Sequence, residues 1–345
     1  MTRQIKVGKV PVGGGAPVTI QSMCNTPTHD VEATVEQIRR LEAAGCEIIR
    51  VAVPDMPAAE AVGEIRKKIG IPLVVDIHFD YKLALECVKQ GCDAVRINPG
   101  NIGGPEKVAA VADACKGRGL PIRIGVNGGS LEKTLLAKYG GVTPEALVES
   151  AFGHIKLLED QGFSDICVSL KSSSVPITMR AYQRMARESD FPLHIGVTET
   201  GTPKMGILKS AVGIGGLLAL GVGDTLRVSL SADPVEEVYA ARDILKAAGI
   251  RKDGPELISC PTCGRTKIDL IALAHEVEER LQSVNKPITV AVMGCVVNGP
   301  GEASAADVGI AGGVGEGLLF KKGEIIKKLP QAELVDELFK LIETL

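Results

Sequence analysis

Aromatic side chains are scarce in this chain, and tryptophan is absent. Among its 345 residues only four are tyrosine and six are phenylalanine, although the hydrophobic fraction is 45%. A core built from this chain must therefore be aliphatic, which suits buried parallel strands. The chain is longer than a single core usually grows, so we expect one large domain and one small one.

The chain also lacks a strong net charge and a long apolar run. The net charge is -3 and the pI is about 6.0, so the composition predicts no binding to nucleic acid or to an anionic membrane. The longest apolar run, residues 211–223, is glycine-rich and too short to span a bilayer. Because the first ten residues have no apolar signal segment, we expect a cytoplasmic protein whose anion sites are local arrangements.

Nine cysteines are present, and we expect no disulfides among them because the cytosol keeps thiols reduced. Six lie in apolar stretches, where a cysteine acts as a small buried hydrophobe. These six are Cys24, Cys46, Cys87, Cys92, Cys115 and Cys167. The other three, Cys260, Cys263 and Cys295, lie in the C-terminal part of the chain and need a different explanation.

Short β-branched runs recur eight times along the first two thirds of the chain and alternate with helical patterns. In the first pattern Val31, Val35 and Ile38 repeat at helical spacing, and Asp30 precedes them as a cap. This alternation predicts an α/β fold, a (β/α)8 TIM barrel, over residues 1–250. A dinucleotide-binding fold is not favoured, because the glycines at 13–15 precede the first strand. The runs span residues 18–23, 48–53, 73–78, 94–99, 122–127, 166–171, 193–199 and 225–230.

A polar linker at residues 251–255 separates the barrel from a second domain, residues 256–345. The pattern of this segment predicts a small α+β domain that begins with a cysteine loop. A helix over 267–284 and a strand over 288–293 follow, then a glycine-rich loop. Short strands near Val308 and Leu318 and a terminal helix from Gln331 complete the predicted domain.

Five cationic side chains interrupt the predicted barrel strands, where branched aliphatic residues are normal. Alternation along the strands groups them with polar neighbours on one face. If that face points inward near the C-terminal ends of the strands, the cations converge where barrel enzymes place their active sites. The five are Arg50, Arg96, Arg123, Lys171 and Arg227, and their neighbours on the same face include Asp76, His78, Asn127 and Ser229.

These cations outnumber the two acids near them, Asp76 and Glu199. Burying unpaired cations is costly without an anion, and planar guanidinium groups bind phosphate oxygens with two hydrogen bonds. We therefore expect a small phosphorylated substrate, and a structural layer of ion pairs is the alternative. His194 begins its strand and is expected to pack, whereas for His78, which ends its strand, packing and catalysis are both open.

Cys260 and Cys263 form a CxxC turn, and Cys295 opens a glycine-rich loop after a predicted strand. No fourth cysteine follows, although structural zinc usually takes four protein ligands. Three interpretations stay open: a zinc site, an iron-sulfur cluster with one ligand that is not a cysteine, and a redox dithiol. Glu302, seven residues after Cys295, is either an exchangeable fourth ligand or a solvated loop acid.

Six segments of the chain form a characteristic set. They are SCPTCGR (259–265), MGCVVNGPGEA (293–303), RINPGNIG (96–103), RIGVNGGSLE (123–132), PLHIGVTETGT (192–202) and GDTLRVSLS (223–231). Together they closely resemble the 4-hydroxy-3-methylbut-2-enyl diphosphate synthase family of the non-mevalonate isoprenoid pathway. The resemblance covers nearly the whole chain, and the short linker is similar to the two-domain bacterial form of the family.

The resemblance implies an oxidoreductase that acts on 2-C-methyl-D-erythritol 2,4-cyclodiphosphate. Such an enzyme opens the ring and reductively removes a hydroxyl as water, which gives 4-hydroxy-3-methylbut-2-enyl diphosphate. Two electrons pass through a [4Fe-4S] cluster from reduced flavodoxin or ferredoxin. In the family the cluster domain of one subunit caps the barrel of its partner, so the resemblance also implies a head-to-tail homodimer.

The resemblance further implies a set of cluster ligands. By motif position Cys260, Cys263 and Cys295 are the thiolate ligands, and Glu302 is the fourth ligand, which substrate oxygen displaces. Cys24 departs from the family pattern, which commonly has threonine after the QSM segment. We expect little effect from this departure, because the residue ends the first strand run.

In the barrel, Glu199 resembles the family's acid that hydrogen-bonds the departing hydroxyl and helps to protonate it. The resemblance also implies that Asp76 and His78 are near Glu199, with less defined catalytic roles. The implied diphosphate-binding residues are Arg50, Arg96, Arg123, Asn127, Lys171, Arg227 and Ser229.

Two other functions stay open at this point. The first is a non-redox hydro-lyase, in which a [4Fe-4S] cluster acts as a Lewis acid on a phosphorylated substrate and turnover needs no reductant. The second is a binding module with a structural zinc site, whose barrel holds a phosphorylated ligand without reaction. The identity of the metal distinguishes the second from the first.

Overall fold

Each of the eight β-branched runs forms a strand of one parallel sheet. The strands of the first 250 residues are β1 (Gln4–Val7), β2 (Val10–Gly13), β3 (Thr19–Met23), β4 (Ile48–Ala52), β5 (Leu73–Ile77), β6 (Ala94–Ile97), β7 (Ile122–Asn127), β8 (Ile166–Lys171), β9 (His194–Ile195) and β10 (Thr225–Leu226). The parallel strands pair in the order β8-β7-β6-β5-β4-β3-β10-β9. A parallel bridge between Val168 and Leu193 joins the two ends of the sheet. The predicted TIM barrel is therefore confirmed.

Helices follow the barrel strands, and several of them begin at polar caps. The side chain of Asp30 accepts a hydrogen bond from the Ala33 amide at the start of the first helix, and Gly45 ends that helix at a φ of 107°. Glycine adopts this left-handed conformation without steric cost. The helices are α1 (Val31–Ala44), α2 (Met56–Lys68), α3 (Tyr81–Gln90), α4 (Pro99–Ile102), α5 (Pro105–Lys116), α6 (Lys133–Tyr139), α7 (Pro144–Glu159), α8 (Val175–Glu188), α9 (Pro203–Ser210), α10 (Gly216–Ala219) and α11 (Pro234–Ala247).

The main core lies between the strands and the apolar faces of these helices. The six cysteines of the apolar stretches are all buried, so their prediction as small hydrophobes is confirmed. Burial raises the pKa of the Cys46 thiol to about 12 and that of the Cys115 thiol to about 12. These thiols therefore stay protonated and do not act as nucleophiles at neutral pH.

A hairpin that the sequence analysis did not predict precedes the barrel. Strands β1 and β2 pair antiparallel across a two-residue turn, in which Gly8 has a φ of 56°. Its apolar side chains pack against residues at the N-terminal ends of four barrel strands, so this end of the barrel is closed. The packed set is Ile5, Val7, Val12, Ile48, Val74, Ala94 and Cys167.

The second part of the chain forms a mixed sheet with helices on one face. Its strands are β11 (Glu256–Ser259), β12 (Thr289–Met293), β13 (Val308–Gly312), β14 (Glu316–Lys321) and β15 (Glu324–Pro330), paired in that order. The first three are parallel and the last two antiparallel. Helix α12 (Leu270–Leu281) and the C-terminal helix (Leu334–Glu343) share one apolar cluster with the sheet. This is the predicted α+β domain, with two strands, β11 and β15, that were not predicted.

The computed structural model describes residues 1–252, 254–295, 301 and 303–345, without the side chains of residues 99 and 100. The chain divides into two compact units, Met1–Ile250 and Arg251–Leu345. Across these described ranges, no helix combines the length and the apolar character needed to cross a bilayer.

Candidate active site

A cavity of about 650 Å³ opens where the barrel strands end. Its walls come from the segments that follow β5, β6, β7, β8 and β9, which is where barrel enzymes place their catalytic groups. Four predicted site residues line this cavity: His78, Arg96, Asn127 and Glu199. Residues 172–174, three serines after β8, also line it and were not predicted. The signal that could have found them is a polar run directly after a buried strand.

Asp76 lies below the cavity and pairs with two of the predicted cations. One carboxylate oxygen of Asp76 accepts a hydrogen bond from Arg96 Nη1 at 2.8 Å, and the other lies 3.5 Å from Arg50 Nε. Burial alone would raise the pKa of this carboxyl, but Arg50, Arg96 and Arg123 outweigh it and lower the pKa to about 2. Asp76 is therefore ionised and holds the two guanidinium groups in fixed positions. His78 Nε2 approaches the same carboxylate at 3.7 Å from an exposed position.

A third acid, missed by the sequence analysis, also belongs to this site. Glu237 on α11 is 3% exposed and binds Arg227 through both carboxylate oxygens, with nitrogen–oxygen distances of 3.1 Å for Nε and for Nη2. The count of two acids near the cations was therefore wrong. Glu237 occupies a position of α11 where the helical pattern predicts an apolar side chain. An acid at such a position is the feature of the sequence from which this residue could have been predicted. The alternative considered from the sequence, a structural layer of ion pairs, therefore describes Arg50, Arg96 and Arg227.

Arg123 and Lys171 have no such partner. In the part of the chain that the structure describes, no carboxylate lies within 4.0 Å of either cation. Arg123 Nη1 contacts Gln21 Oε1 and His194 Nδ1, both at 2.9 Å, and Arg123 Nη2 has no hydrogen-bond partner among these residues. Burial lowers the pKa of Arg123 to about 10, so it remains a cation at neutral pH. His194 packs at 1% exposure inside the barrel, as predicted.

Two glycines on the inner face of the barrel make room for the cations. A Cβ at Gly125 would lie 2.4 Å from Arg96 Nε, and a Cβ at Gly196 would lie 3.3 Å from Lys171 Nζ. A Cβ at Gly125 would have to displace Arg96, and a Cβ at Gly196 would also lie 2.7 Å from the Arg227 carbonyl oxygen, which is too close for a real Cβ atom. The absence of a side chain at each position is therefore part of the geometry of the cation cluster, which we define as Arg50, Arg96, Arg123, Lys171 and Arg227.

Glu199 and Ser229 complete the predicted barrel residues. Glu199 follows β9 with a φ of 55°, a left-handed conformation that is uncommon for a residue with a side chain. The hydroxyl of the next residue, Thr200, donates a hydrogen bond to the carbonyl of Ser229, which is half-buried after β10. This bond ties the turn that carries Glu199 to the neighbouring strand end. Cys24, at the end of β3, is buried and donates its amide to the Arg50 carbonyl at 2.9 Å.

In the second unit the cysteine segments meet at Gly294. Its amide donates a hydrogen bond to the Cys260 sulfur at 3.2 Å, and its carbonyl accepts one from the Lys267 amide at 3.1 Å. Cys260 follows β11 and Cys295 follows β12, and these parallel strands are neighbours. Cys263 is exposed, and a hydrogen bond from the Arg265 backbone lowers its pKa. The three cysteines therefore lie in the segments that follow the C-terminal ends of two neighbouring strands, and we call these segments the cysteine edge.

The donor set at this edge is chemically suited to an iron-sulfur cluster. Within the described ranges, no three Cys, His, Asp or Glu side chains gather closely enough to bind one metal ion. Thiolates that hold a cluster surround a larger inorganic core, and backbone amides hydrogen-bond to its sulfur. The Gly294 amide, which already donates to a cysteine sulfur, is such a donor. Glu302, the predicted fourth ligand, lies outside the described residues.

Comparison with known proteins decides the family. The family model described as the GcpE TIM-barrel domain matches residues 2–242. The model described as the GcpE protein C-terminal domain matches residues 256–344. The chain belongs to the GcpE family. The resemblance recognised in the six sequence segments is confirmed.

Relatives within the GcpE family match over their full length. One from Clostridium perfringens is 61% identical over 344 residues, which is 100% of this chain and 99% of the relative. Another, from Geobacter sulfurreducens, is 60% identical over 342 residues, which is 99% of this chain and 97% of the relative. Both are named 4-hydroxy-3-methylbut-2-en-1-yl diphosphate synthase (flavodoxin).

Two solved structures match about three quarters of the chain. The dihydropteroate synthase of Yersinia pestis covers 73% of this GcpE chain and 100% of its own, with a TM-score of 0.50 and 14% identity. The phospho-2-dehydro-3-deoxyheptonate aldolase of Thermotoga maritima covers 72% of both chains, with a TM-score of 0.51 and 13% identity. At such identities the similarity shows the fold alone.

Proposed function

We propose that this GcpE chain is an oxidoreductase that performs the reaction in its relatives' name and forms 4-hydroxy-3-methylbut-2-en-1-yl diphosphate. The substrate would be 2-C-methyl-D-erythritol 2,4-cyclodiphosphate. A ring C–O bond and a hydroxyl C–O bond break, and each departing oxygen keeps the bonding pair. Two electrons from reduced flavodoxin form the new carbon–carbon double bond, and one proton converts the departing hydroxide to water. Ferredoxin is a second possible donor of these electrons.

The observation that carries this proposal is the surplus of basic side chains over carboxylates in the cation cluster, which adjoins the cavity through Arg96. Arg123 and Lys171 have no carboxylate partner in the described chain, and an anionic diphosphate would supply it. In this proposal the cation cluster, together with Asn127 and Ser229, holds the diphosphate. Asp76 acts through Arg50 and Arg96 as a positioning residue, whereas Glu199 and His78 reach the cavity and are the candidates for proton transfer.

The unit of residues 256–345 would hold the cofactor, and residues 1–250 would bind the substrate. Cys260, Cys263 and Cys295 would be the thiolate ligands of a [4Fe-4S] cluster and Glu302 its fourth ligand. When bound, such a cluster supplies single-electron transfer. What this chain itself contributes is the placement of three thiols in the cysteine edge and the Gly294 amide beside the Cys260 sulfur.

We further propose a cytoplasmic head-to-tail homodimer, in which the second unit of one subunit reaches the barrel of its partner. Sedimentation or light scattering combined with an activity assay tests the assembly. The expected result is a dimer whose activity falls on dilution below its dissociation constant. A monomer that retains full activity would exclude this arrangement.

The experiment that tests the proposed function is metal analysis followed by a reductive assay. Anaerobically purified protein should contain about four irons and four acid-labile sulfides per chain. Cys295→Ala should lose both, whereas Cys115→Ala, at a buried cysteine of α5, should retain them. One zinc without sulfide would overturn the redox proposal, and turnover of the cyclodiphosphate without any reductant would favour the hydro-lyase instead.

A further inference from the structure

Lys171, the last residue of β8, holds its amine among positive charges. The residue is 8% exposed. The strongest electrostatic influences on this amine come from basic groups on five neighbouring segments of the barrel. They are Arg50 on β4, Arg96 on β6, Arg123 on β7, His194 on β9 and Arg227 directly after β10.

The acids of the barrel do not compensate this amine. Asp76 is engaged by Arg50 and Arg96, and Glu237 is engaged by Arg227. Glu199 lines the cavity, but no ion pair within 4.0 Å joins it to Lys171 in the described chain. The amine is instead surrounded by like charges and by the backbone near Gly196, where even a methyl group would lie 3.3 Å from Nζ.

Among the members of the cation cluster, Lys171 is the one that can give up its proton. Burial also lowers the pKa of Arg50 and that of Arg123, but a guanidinium keeps its proton near neutral pH because its charge is delocalised over the planar group, and the pKa of Arg123 is still about 10. An amine holds a point charge and loses its proton readily when it is buried near other cations. Burial, followed by Arg50 and Arg227, lowers the pKa of Lys171 well below its usual value. His194 is neutral for the same reasons, since burial and Arg123 lower its pKa.

We propose that Lys171 is an unprotonated amine in the ligand-free enzyme and takes up one proton when the anionic diphosphate binds. This inference rests on the proposed function. The proton comes from water or buffer and binds to the amine lone pair, no electron is transferred, and the resulting ammonium donates a hydrogen bond to a phosphate oxygen. The cation cluster therefore carries four positive charges before the anion binds and five after it has bound.

Isothermal titration of the anaerobic, cluster-containing enzyme with 2-C-methyl-D-erythritol 2,4-cyclodiphosphate tests this proposal. Each phosphorus of this cyclic diphosphate carries one ester bond, one anhydride bond and a single strongly acidic oxygen, so the ligand itself neither gains nor loses a proton near neutrality. Titrations in Tris and in HEPES between pH 7 and 9, where carboxylates do not change charge, give the protons exchanged from the difference in heat. We expect an uptake of about one proton per bound molecule, and a dissociation constant that rises about tenfold per pH unit between the free and bound pKa values of the amine.

Three variants identify the group that takes up the proton. In Lys171→Met and in Lys171→Arg, which are permanently neutral and permanently charged, the uptake should vanish and the dissociation constant should lose its pH dependence. In Glu199→Gln, which removes the carboxylate that lines the cavity, the uptake should persist. Binding by the parent enzyme without proton uptake, or uptake that persists in both Lys171 variants, would overturn this inference alone. If the cluster-containing parent does not bind the cyclodiphosphate at all, the proposed function fails as well.

Discussion

The barrel holds its functional groups in a different way from the sheet of the second unit. In the barrel three of the cations are buried and two are half-buried, and Asp76 and Glu237 fix three of the five through ion pairs before any ligand is present. In the second unit Cys263 is exposed and Cys260 and Cys295 are half-buried, and the contacts that hold this edge are backbone hydrogen bonds around Gly294. Removing a charged group from the barrel site should therefore lower the free energy of unfolding, whereas removing a thiol from the cysteine edge should change it little.

The largest effect on stability is expected from Asp76→Asn. The substitution keeps the shape of the side chain but leaves two buried guanidinium groups without their carboxylate, which typically costs about 3–5 kcal/mol of unfolding free energy. Urea unfolding of parent and variant measures this loss. Asp55→Asn is the matched control, because Asp55 caps α2 through the Ala58 amide and asparagine caps equally well. A variant within about 1 kcal/mol of the parent would mean that the cations do not depend on Asp76.

A second test follows from the lowered pKa of Lys171. In the unfolded chain the amine binds a proton up to a pH near 10.4, whereas in the ligand-free fold it has lost that proton at lower pH. The unfolded state then binds more protons, so stability rises with pH across this window, by up to about 1.4 kcal/mol per unit. Unfolding at pH 7, 8 and 9 should show this slope in the parent and a flatter one in Lys171→Met. Equal slopes would show that the amine stays protonated in the fold.

Gly125→Ala tests whether the cluster is fixed in position or can adapt. The new Cβ would lie 2.4 Å from Arg96 Nε, so the guanidinium must move away from its place between Asp76 and the cavity. Losing one charge-assisted hydrogen bond to the diphosphate corresponds to about 1.5–3 kcal/mol, or roughly a tenfold to hundredfold weaker binding. Titration with the cyclodiphosphate measures the dissociation constant.

The control for this test is Gly153→Ala on α7. A Cβ there would meet nothing within 4 Å, and alanine is the better helix former. Its affinity for the cyclodiphosphate should equal that of the parent, and its stability should not fall. If Gly125→Ala binds as tightly as Gly153→Ala, Arg96 is not held as rigidly as its ion pair with Asp76 indicates.

The barrel was more predictable from the sequence than the second unit, and the reason is physical. A buried parallel strand must be an uninterrupted β-branched run, so all eight were visible, and cations within such runs stood out at once. Glu237 was missed because its helix comes from another part of the sequence and faces the strands only after folding. Strand β15 was missed because its burial does not alternate: Ile325 and Ile326 are adjacent and both exposed, so no period of two marks the strand.

The smallest expected effect concerns Cys263→Ser in protein whose metal has been removed by a chelator. The thiol is exposed and the segment is held through backbone groups, such as the Cys263 amide that donates to Thr266 Oγ1 at 3.1 Å. Serine keeps these groups, so the unfolding free energy should stay within about 0.5 kcal/mol of the parent. Leu338→Ala, at a fully buried position of the same unit, should lower the free energy of unfolding by about 2–5 kcal/mol. This control shows that the measurement reports on the unfolding of the second unit. A loss from Cys263→Ser comparable to that of Leu338→Ala would mean that the cysteine edge, like the cation cluster, is built into the stability of its unit.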